Sequence, residues 1–385
     1  MLENVLSSTL ELVKRCIKSV RKSLVWQTAA LVVLSFVLVA SASLVGALRA
    51  ENDLDTKARL AEWAREWHLG LVVDAAEHVV YSDPPSGRAI ELSTEAAPHQ
   101  AIAVSPTTTT VPPPSTTPPV PLEVRVTPAL KREGEWTPVR STATGVVVWT
   151  SGLRPSAKLP AVSASFALID QSNLTAVLHN GTEVPGGKWK VGNTIPKAGR
   201  KAAVFAFNGG FLKKHSMGGY YTEGREIWKL KLNAATLAID SNGQVHIGEW
   251  GTQLSPDGWN GAPWVSVRQN LTLLVKNGVV FNHKNTARWG WSGKGELYIL
   301  RSAVCKRYDG RLLFAVVGKT DAVLLAKTMK NAGCKNAMQL DVNEAYPRGY
   351  YFTNGVPHRL DRRQTGGDRL YYTGSYREFF ALSEK

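Results

Sequence analysis

The chain has 385 residues, 46 Lys and Arg against 31 Asp and Glu, a formal net charge of +15 and three cysteines. An apolar share of 44% with 9% aromatics excludes a wholly disordered protein and supplies a sizeable core. Three cysteines exclude a disulfide-built scaffold, and no Cys/His spacing matches a structural zinc site. The basic balance points to an anionic partner.

The first element in chain order is an uncharged stretch between Lys22 and Arg49. Its segment 28–48 has the length needed to cross a hydrocarbon layer of roughly 30 Å. Lys14, Arg15, Lys18, Arg21 and Lys22 precede it, opposed by Glu3 and Glu11, whereas charges of both signs follow. The positive-inside rule therefore predicts a cytoplasmic basic segment at 1–27, one transmembrane helix at 28–48, and an extracytoplasmic remainder. Ala40-Ser41-Ala42 also reads as a cleavage site, but the apolar run is long for a signal peptide, which favours a retained anchor in the cell membrane. Export makes nucleic acid a poor partner. Cys16 falls on the cytoplasmic side and Cys305 and Cys334 outside, where a bridge is allowed; two buried thiols fit the sequence equally well.

Residues 49–104 form a juxtamembrane region. Within it, 51–69 set Leu54, Ala58, Ala61, Trp63 and Trp67 near helical spacing, which predicts an amphipathic helix. The stretch 71–104 takes no fold assignment from its residues. Residues 105–121 read SPTTTTVPPPSTTPPVP, a composition that predicts an extended, semi-rigid linker. The domain that follows, 122–385, alternates β-type runs with Gly, Pro and Asn turns. Strands are predicted at 144–150, 163–170, 202–208, 235–240, 271–276, 296–301, 312–317 and 337–341, punctuated by turn signals such as Asn242-Gly243, Asn277-Gly278 and Asp309-Gly310. One helix is predicted over 320–332, with Thr320 as its N-cap and Gly333 as its terminator. The fold class is α+β, a mixed β-sheet domain with few helices.

Three segments carry candidate chemistry. The strand at 204–208 ends in Asn208-Gly209-Gly210, where paired glycines let the backbone approach a ligand and turn N–H groups towards an anion. An ordinary Asn-Gly turn uses the same residues. Lys213, Lys214 and His215 follow, and His215 is a secondary proton-transfer candidate. The strand at 336–341 ends in Asp341, with Asn343 and Glu344 just beyond. Two nearby carboxylates can divide acid and base roles, or the turn can simply be capped by Asp341. Arg301 closes the strand ELYILR and can clamp a phosphate through two parallel bonds; Arg348 is a further basic candidate for substrate binding. The cofactor is left unknown: the oxygens of Asp341, Asn343 and Glu344 suit Mg²⁺ or Ca²⁺, but they form no ligand motif.

The remaining signals suit a glycan. Trp228, Trp250, Trp259, Trp264, Trp289 and Trp291 cluster in one stretch, and indole faces pack on sugar rings, although most such residues serve packing. Ten Lys and Arg lie between 188 and 231, against Glu223 and Glu226. Asn173, Asn180 and Asn270 begin glycosylation sequons, meaningful in a eukaryotic secretory route.

Taken in order, these segments resemble the phosphodiester glycosidase family. Its pattern is a strand ending in N-G-G-F, then R-[ST]-A-[VI]-G with a D-G turn, then a helix ending in G-[CA] that leads into A-[MI]-x-L-D-G-G-G-S. The matches are Asn208 to Phe211, Arg301 to Val304 with Asp309-Gly310, and Gly333-Cys334 with Ala337 to Asp341, within a resemblance spanning residues 160 to 380. Cys305 replaces one family glycine, and Val342-Asn343-Glu344-Ala345 replaces G-G-G-S. The resemblance implies hydrolysis of a sugar phosphodiester that frees the sugar and leaves a phosphate monoester. The expected protein is then an extracytoplasmic hydrolase of a phosphate-bearing envelope glycan or glycopolymer. Asn208, Gly209 and Gly210 would hold the phosphate, Arg301 would clamp it, and Asp341 would be the principal carboxylate with Glu344 as general acid. The altered glycine segment motivates an alternative, a non-catalytic envelope module that binds anionic glycopolymers on the same scaffold. A third reading is an assembly or inhibitor protein acting through its juxtamembrane helix.

Overall fold

A computed structural model of the protein describes residues 2–49, 56–94, 119–281, 289, 291–292 and 295–385. Most of the Pro/Thr stretch, 105–118, lies outside the described residues. The chain divides into two compact units.

The first unit contains the helix Leu2–Arg49 and the helix Thr56–Glu66. The 24 residues Trp26–Arg49 have a mean hydropathy of 2.5 and none of that surface is buried. At 1.5 Å per residue such a helix spans about 36 Å, enough by length and composition to cross a membrane. The shorter helix lies within the stretch read as amphipathic. Trp63 and Trp67 each donate an indole N–H to Ser43 Oγ, at 3.2 and 3.0 Å, and the Trp67 ring meets Phe36 edge-on at 5.5 Å.

The second unit is built on three principal sheets. The largest orders its strands Thr137–Thr142, Gly145–Leu153, Ala164–Ile169, Leu312–Thr320, Ile299–Arg307, Cys334–Val342, Val275–Lys276 and Val279–Val280. A second sheet runs Val356–Arg359, Gly349–Thr353, Ala203–Asn208, Phe379–Glu384 and Leu174–His179. The third runs Arg225–Trp228, Tyr220–Thr222, Trp264–Gln269, Ala235–Asp240 and Val245–Glu249. The architecture is α+β as expected. Every ladder between these strands is antiparallel, so the mixture is one of sheets with a few helices rather than of strand directions.

The run LLFAVV explains how the central strand is placed. Leu312, Phe314 and Val316 face one core, with Phe205, Phe207, Leu237 and Phe380 of the other two sheets. Leu313, Ala315 and Val317 face a second core, capped by Leu325, Ala326 and Met329 of the helix Ala322–Asn331. Side chains alternate along a strand, so an unbroken apolar run is what a strand covered on both faces requires.

Local differences from the sequence reading have physical causes. The helix is capped by Asp321, whose carboxylate accepts the Leu324 N–H at 2.6 Å; Thr320 is instead the last residue of a strand. Of the strand expected at 271–276 only Val275–Lys276 forms, because Leu271 takes a φ of 59° and its N–H is drawn to Ser216 O. Trp228, Trp250, Trp264 and Trp289 are buried core residues and offer no open face to a sugar. Two of the sequon asparagines, Asn180 and Asn270, are buried as well.

Cys305 and Cys334 form a disulfide across 29 residues of chain, fastening the turn end of two neighbouring central strands. Closing a loop of that length stabilises by about 3–4 kcal/mol in the chain-entropy account. Paired Cys305→Ser and Cys334→Ser substitutions are expected to lower the denaturation midpoint by a matching amount. Alkylation of the denatured, unreduced chain should mark Cys16 alone by mass spectrometry; marking at all three positions would refute the pairing.

Candidate active site

Three strand ends from two sheets meet at one point. Asn208 ends its strand, Ser302 lies near the start of Ile299–Arg307, and Asp341 lies near the end of Cys334–Val342. The hydroxyl of Ser302 joins them: Asn208 Nδ2 donates to it at 3.0 Å and the Asp341 N–H at 3.1 Å. Asn208 Oδ1 accepts the Arg348 N–H at 2.9 Å, which brings a fourth segment to the same place. The resulting recess is lined by Asn208, Asp341, Tyr346, Arg348, Arg377 and Glu378, among others, and encloses about 20 Å³.

Glu378 organises the floor. Its Oε1 accepts from Arg268 Nε at 2.7 Å and from the Gly210 N–H at 3.0 Å, while its main-chain oxygen accepts the Gly209 N–H at 3.0 Å. A Cβ on Gly209 would come within 2.5 Å of this carboxylate, so the first glycine is required by the acid packed across it. Glu378 is 1% exposed, and among the described residues its Oε2 has no hydrogen-bond partner. Arg268 is equally buried, and its remaining nitrogens donate to the main-chain oxygens of Phe211 and Gln269.

Asp341 is held by two contacts. Its Oδ1 accepts the Val342 N–H at 2.7 Å and its Oδ2 accepts Arg377 Nη1 at 3.0 Å. Burial pushes this carboxyl up to about 7; Arg377 pulls the other way, and the nearby Glu378 charge adds to the rise. Desolvation dominates because the carboxyl is cut off from water, while Arg377 is shared with the Tyr346 ring, 3.7 Å beneath its guanidinium. The arrangement can move a proton near neutrality and hold an anion beside the same carboxyl.

Of the residues singled out from the sequence, the recess brings together Asn208, Gly209, Gly210, Asp341 and Arg348, and leaves others out. Arg301 is 1% exposed and donates to the main-chain oxygens of Thr320, Trp289 and Leu297 and to Gln339 Oε1, so its guanidinium buttresses strands and is no part of the recess lining. Glu344 and His215 are exposed and also outside the lining. Gly209 and Gly210 have both amides taken by Glu378, which removes the anion-holding role expected of them. Asn343 takes a φ of 120° and closes its own turn, its Oδ1 accepting the N–H groups of Ala345 and Tyr346 at 2.8 and 2.9 Å. Among the described residues no group of three or more His, Cys, Asp or Glu side chains is placed to hold a metal. Glu378 and Arg268 escaped the sequence reading. The available signal was a charged residue inside or beside an apolar strand, WVSVRQ and REFFAL, without a compensating surface pattern.

Residues 201–341 match the family model described as phosphodiester glycosidase. That stretch takes in Asn208, Arg301 and Asp341, so the resemblance drawn from motifs is shown for this part of the chain. No curated protein matches the chain. Among solved structures it is similar to the zebrafish N-acetylglucosamine-1-phosphodiester alpha-N-acetylglucosaminidase catalytic domain auto-inhibited by its pro-peptide. The identity is 18% and the TM-score 0.42, over 65% of this chain and 88% of that one. A hypothetical protein from Synechocystis matches at 10% identity and a TM-score of 0.35, covering 58% of this chain and 59% of its own.

The raised Asp341 pKa fixes a sign for stability. The folded chain keeps this proton up to about pH 7 while the unfolded chain releases it near 3.8. Its stabilising contribution is therefore complete below the lower value and lost as pH rises through the upper one. Unfolding free energies of the wild type minus those of Asp341→Asn should decline between pH 4 and 7; a difference that stays level or climbs over that window would contradict the burial argument. Separately, Arg268→Met leaves the buried Glu378 carboxylate without its cation and is expected to cost about 3–5 kcal/mol in chemical denaturation.

Proposed function

We propose that the protein is a membrane-anchored hydrolase of sugar phosphodiesters, working outside the cytoplasm on a phosphate-bearing envelope glycan or glycopolymer. The observation that carries this reading is the coincidence of the family match with the recess. There Asn208 and Asp341, both within the matched residues, meet Arg377, and the acid is held near neutrality beside that guanidinium. The apolar helix Trp26–Arg49, with basic residues before it, supports a retained anchor with a cytoplasmic N-terminus. The Cys305–Cys334 disulfide supports an oxidising compartment for the domain.

In this mechanism the substrate phosphate lies at the mouth of the recess, which itself encloses about the volume of one water, against Arg377, and the bond between the anomeric carbon and the phosphate oxygen breaks. The phosphate departs with the electron pair as a monoester, and its oxygen receives the Asp341 proton. Water adds to the anomeric carbon and gives up a proton to the Asp341 carboxylate, which restores the acid. Ser302 and Asn208 act by holding Asp341 and Arg348 in register. Anion binding passes to side chains here because the turn that follows Asp341 uses its own amides. Asn343 N–H donates to Leu300 O at 3.0 Å, and those of Ala345 and Tyr346 go to Asn343 Oδ1.

The same closed turn favours a second reading, a non-catalytic module that retains anionic glycopolymers. The two readings separate in one assay: turnover of a chromogenic sugar phosphodiester by the detergent-solubilised full chain. The hydrolase reading expects Asp341→Asn to lose about 10²–10⁴-fold in kcat/KM. It also expects wild-type kcat/KM to fall as pH rises through about 7, where Asp341 loses its proton. Wild type and variant that are equally inert, while both retain wall polysaccharide on a column, would hand the case to the binding module.

A further inference from the structure

A second concavity lies at the other end of the same inter-sheet layer. Along the strand Ile299–Arg307, Leu300 and Val304 face the core between the sheets, and Lys306 follows on that same face. Ser302, hydrogen-bonded to the recess residues Asn208 and Asp341, and Lys306 are four residues apart, about 13 Å at strand spacing. Lys306 enters an open cleft of about 610 Å³ lined also by Trp149, Asp170, Ser172, Gln244 and Arg311. That volume lies within the range of small-molecule sites.

The charges around the cleft are committed, with two exceptions. Asp309 is bound by Arg311 at 2.8 Å and Arg307 at 3.3 Å, and Asp240 by His246 at 2.9 Å and the Asn242 and Gln244 amides. Asp170 Oδ1 accepts the Ser172 N–H at 3.0 Å and its hydroxyl at 2.7 Å, which leaves Oδ2 over. Lys306 Nζ has no hydrogen bond and no ion pair among the described residues, although it is half-buried. Burial lowers its pKa to about 8 against the attraction of Asp170, Asp309 and Asp240. A cation so placed is under-solvated and gains from an anion brought in from outside.

We propose that this cleft is a second ligand site, distinct from the recess, for a sugar that bears a phosphate or carboxylate group. Lys306 seats the anionic group, and Asp170 Oδ2 accepts from the hydroxyls. A neutral sugar leaves Lys306 unpartnered, and a bare anion leaves Asp170 unused, so both features are needed for tight binding.

The test is site-resolved lysine acetylation of the full chain in detergent micelles, read by mass spectrometry, and it needs no turnover. The probes are α-D-glucose 1-phosphate, D-glucuronate, D-glucose and inorganic phosphate at matched ionic strength. At least one of the two charged sugars should slow modification of Lys306 while leaving Lys188 and Lys229 unaffected; which one does so identifies the anion. Asp170→Asn should raise the concentration needed for protection by about tenfold, the loss expected for a hydrogen bond to a charged group. Arg377→Met, an alteration of the recess, should not change it. No protection by either charged sugar overturns the site. Equal protection by glucose overturns the role of Lys306, and equal protection by inorganic phosphate overturns that of Asp170. Loss of protection in Arg377→Met would show that the effect originates in the recess.

Discussion

The constraint on which the rest of the second unit depends is the buried ion pair between Arg268 and Glu378. Neither side chain reaches water, so each must find its partners within the protein. Glu378 precedes a strand of the second sheet, Arg268 belongs to the third, and the Gly210 amide that completes the contact follows another strand of the second. One carboxylate thus fixes how two sheets and the Asn-Gly-Gly turn meet. The glycine at 209 follows from this geometry, since any side chain would overlap the acid. A pair of this kind contributes little net stability against an apolar replacement, but it specifies one arrangement over others.

The same scarcity of water sets the chemistry of Asp341. A carboxyl in a dry recess with one arginine beside it is pulled in two directions, and burial wins. The proton is therefore held until pH values at which an exposed aspartate would long since have lost it. Arg377 pairs with Asp341 at 3.0 Å while its guanidinium lies 3.7 Å from the Tyr346 ring centre, so its position is fixed by packing as well as by charge. Ser302 and Asn208 supply the remaining restraint without entering the proton chemistry.

Much of this was legible in the sequence where local rules apply. The apolar runs at 164–169, 203–208 and 312–317 became strands, and the strand ending in Asp341 was visible from its pattern and its terminal acid. Asn208 stood out through the glycine pair that follows it, and Asp341 as a carboxylate at the end of a buried apolar strand. What escaped depends on distant partners. Arg301 looks like a phosphate clamp until three main-chain oxygens from separate segments are found around it. Glu378 shows locally only as a charge beside an apolar strand, and its importance comes from Arg268, 110 residues away. The disulfide was undetermined for the same reason: compartment permits a bridge, but only the strand register brings Cys305 and Cys334 together. The N-cap lies one residue beyond its expected place because Thr320 and Asp321 are both good caps, and ladder pairing of Thr320 with Ile299 decides between them.

Replacement of a glycine-rich turn by Val342-Asn343-Glu344-Ala345 changes the kind of anion site this scaffold can offer. A nest of backbone amides carries partial charges and is indifferent to pH. Here the turn amides serve Asn343 and Leu300, and the positive groups facing the recess are Arg377 and Arg348, with Arg268 behind Glu378. Full charges act over longer distances, and their sum depends on whether Asp341 holds its proton. With Asp341 neutral, the guanidiniums outnumber the single remaining carboxylate and the recess carries a net positive charge. With Asp341 ionised, Arg377 is already answered at 3.0 Å and that surplus shrinks. The protonation of Asp341 and the net charge of the recess are thereby tied to one titration, a coupling that a glycine nest would not have.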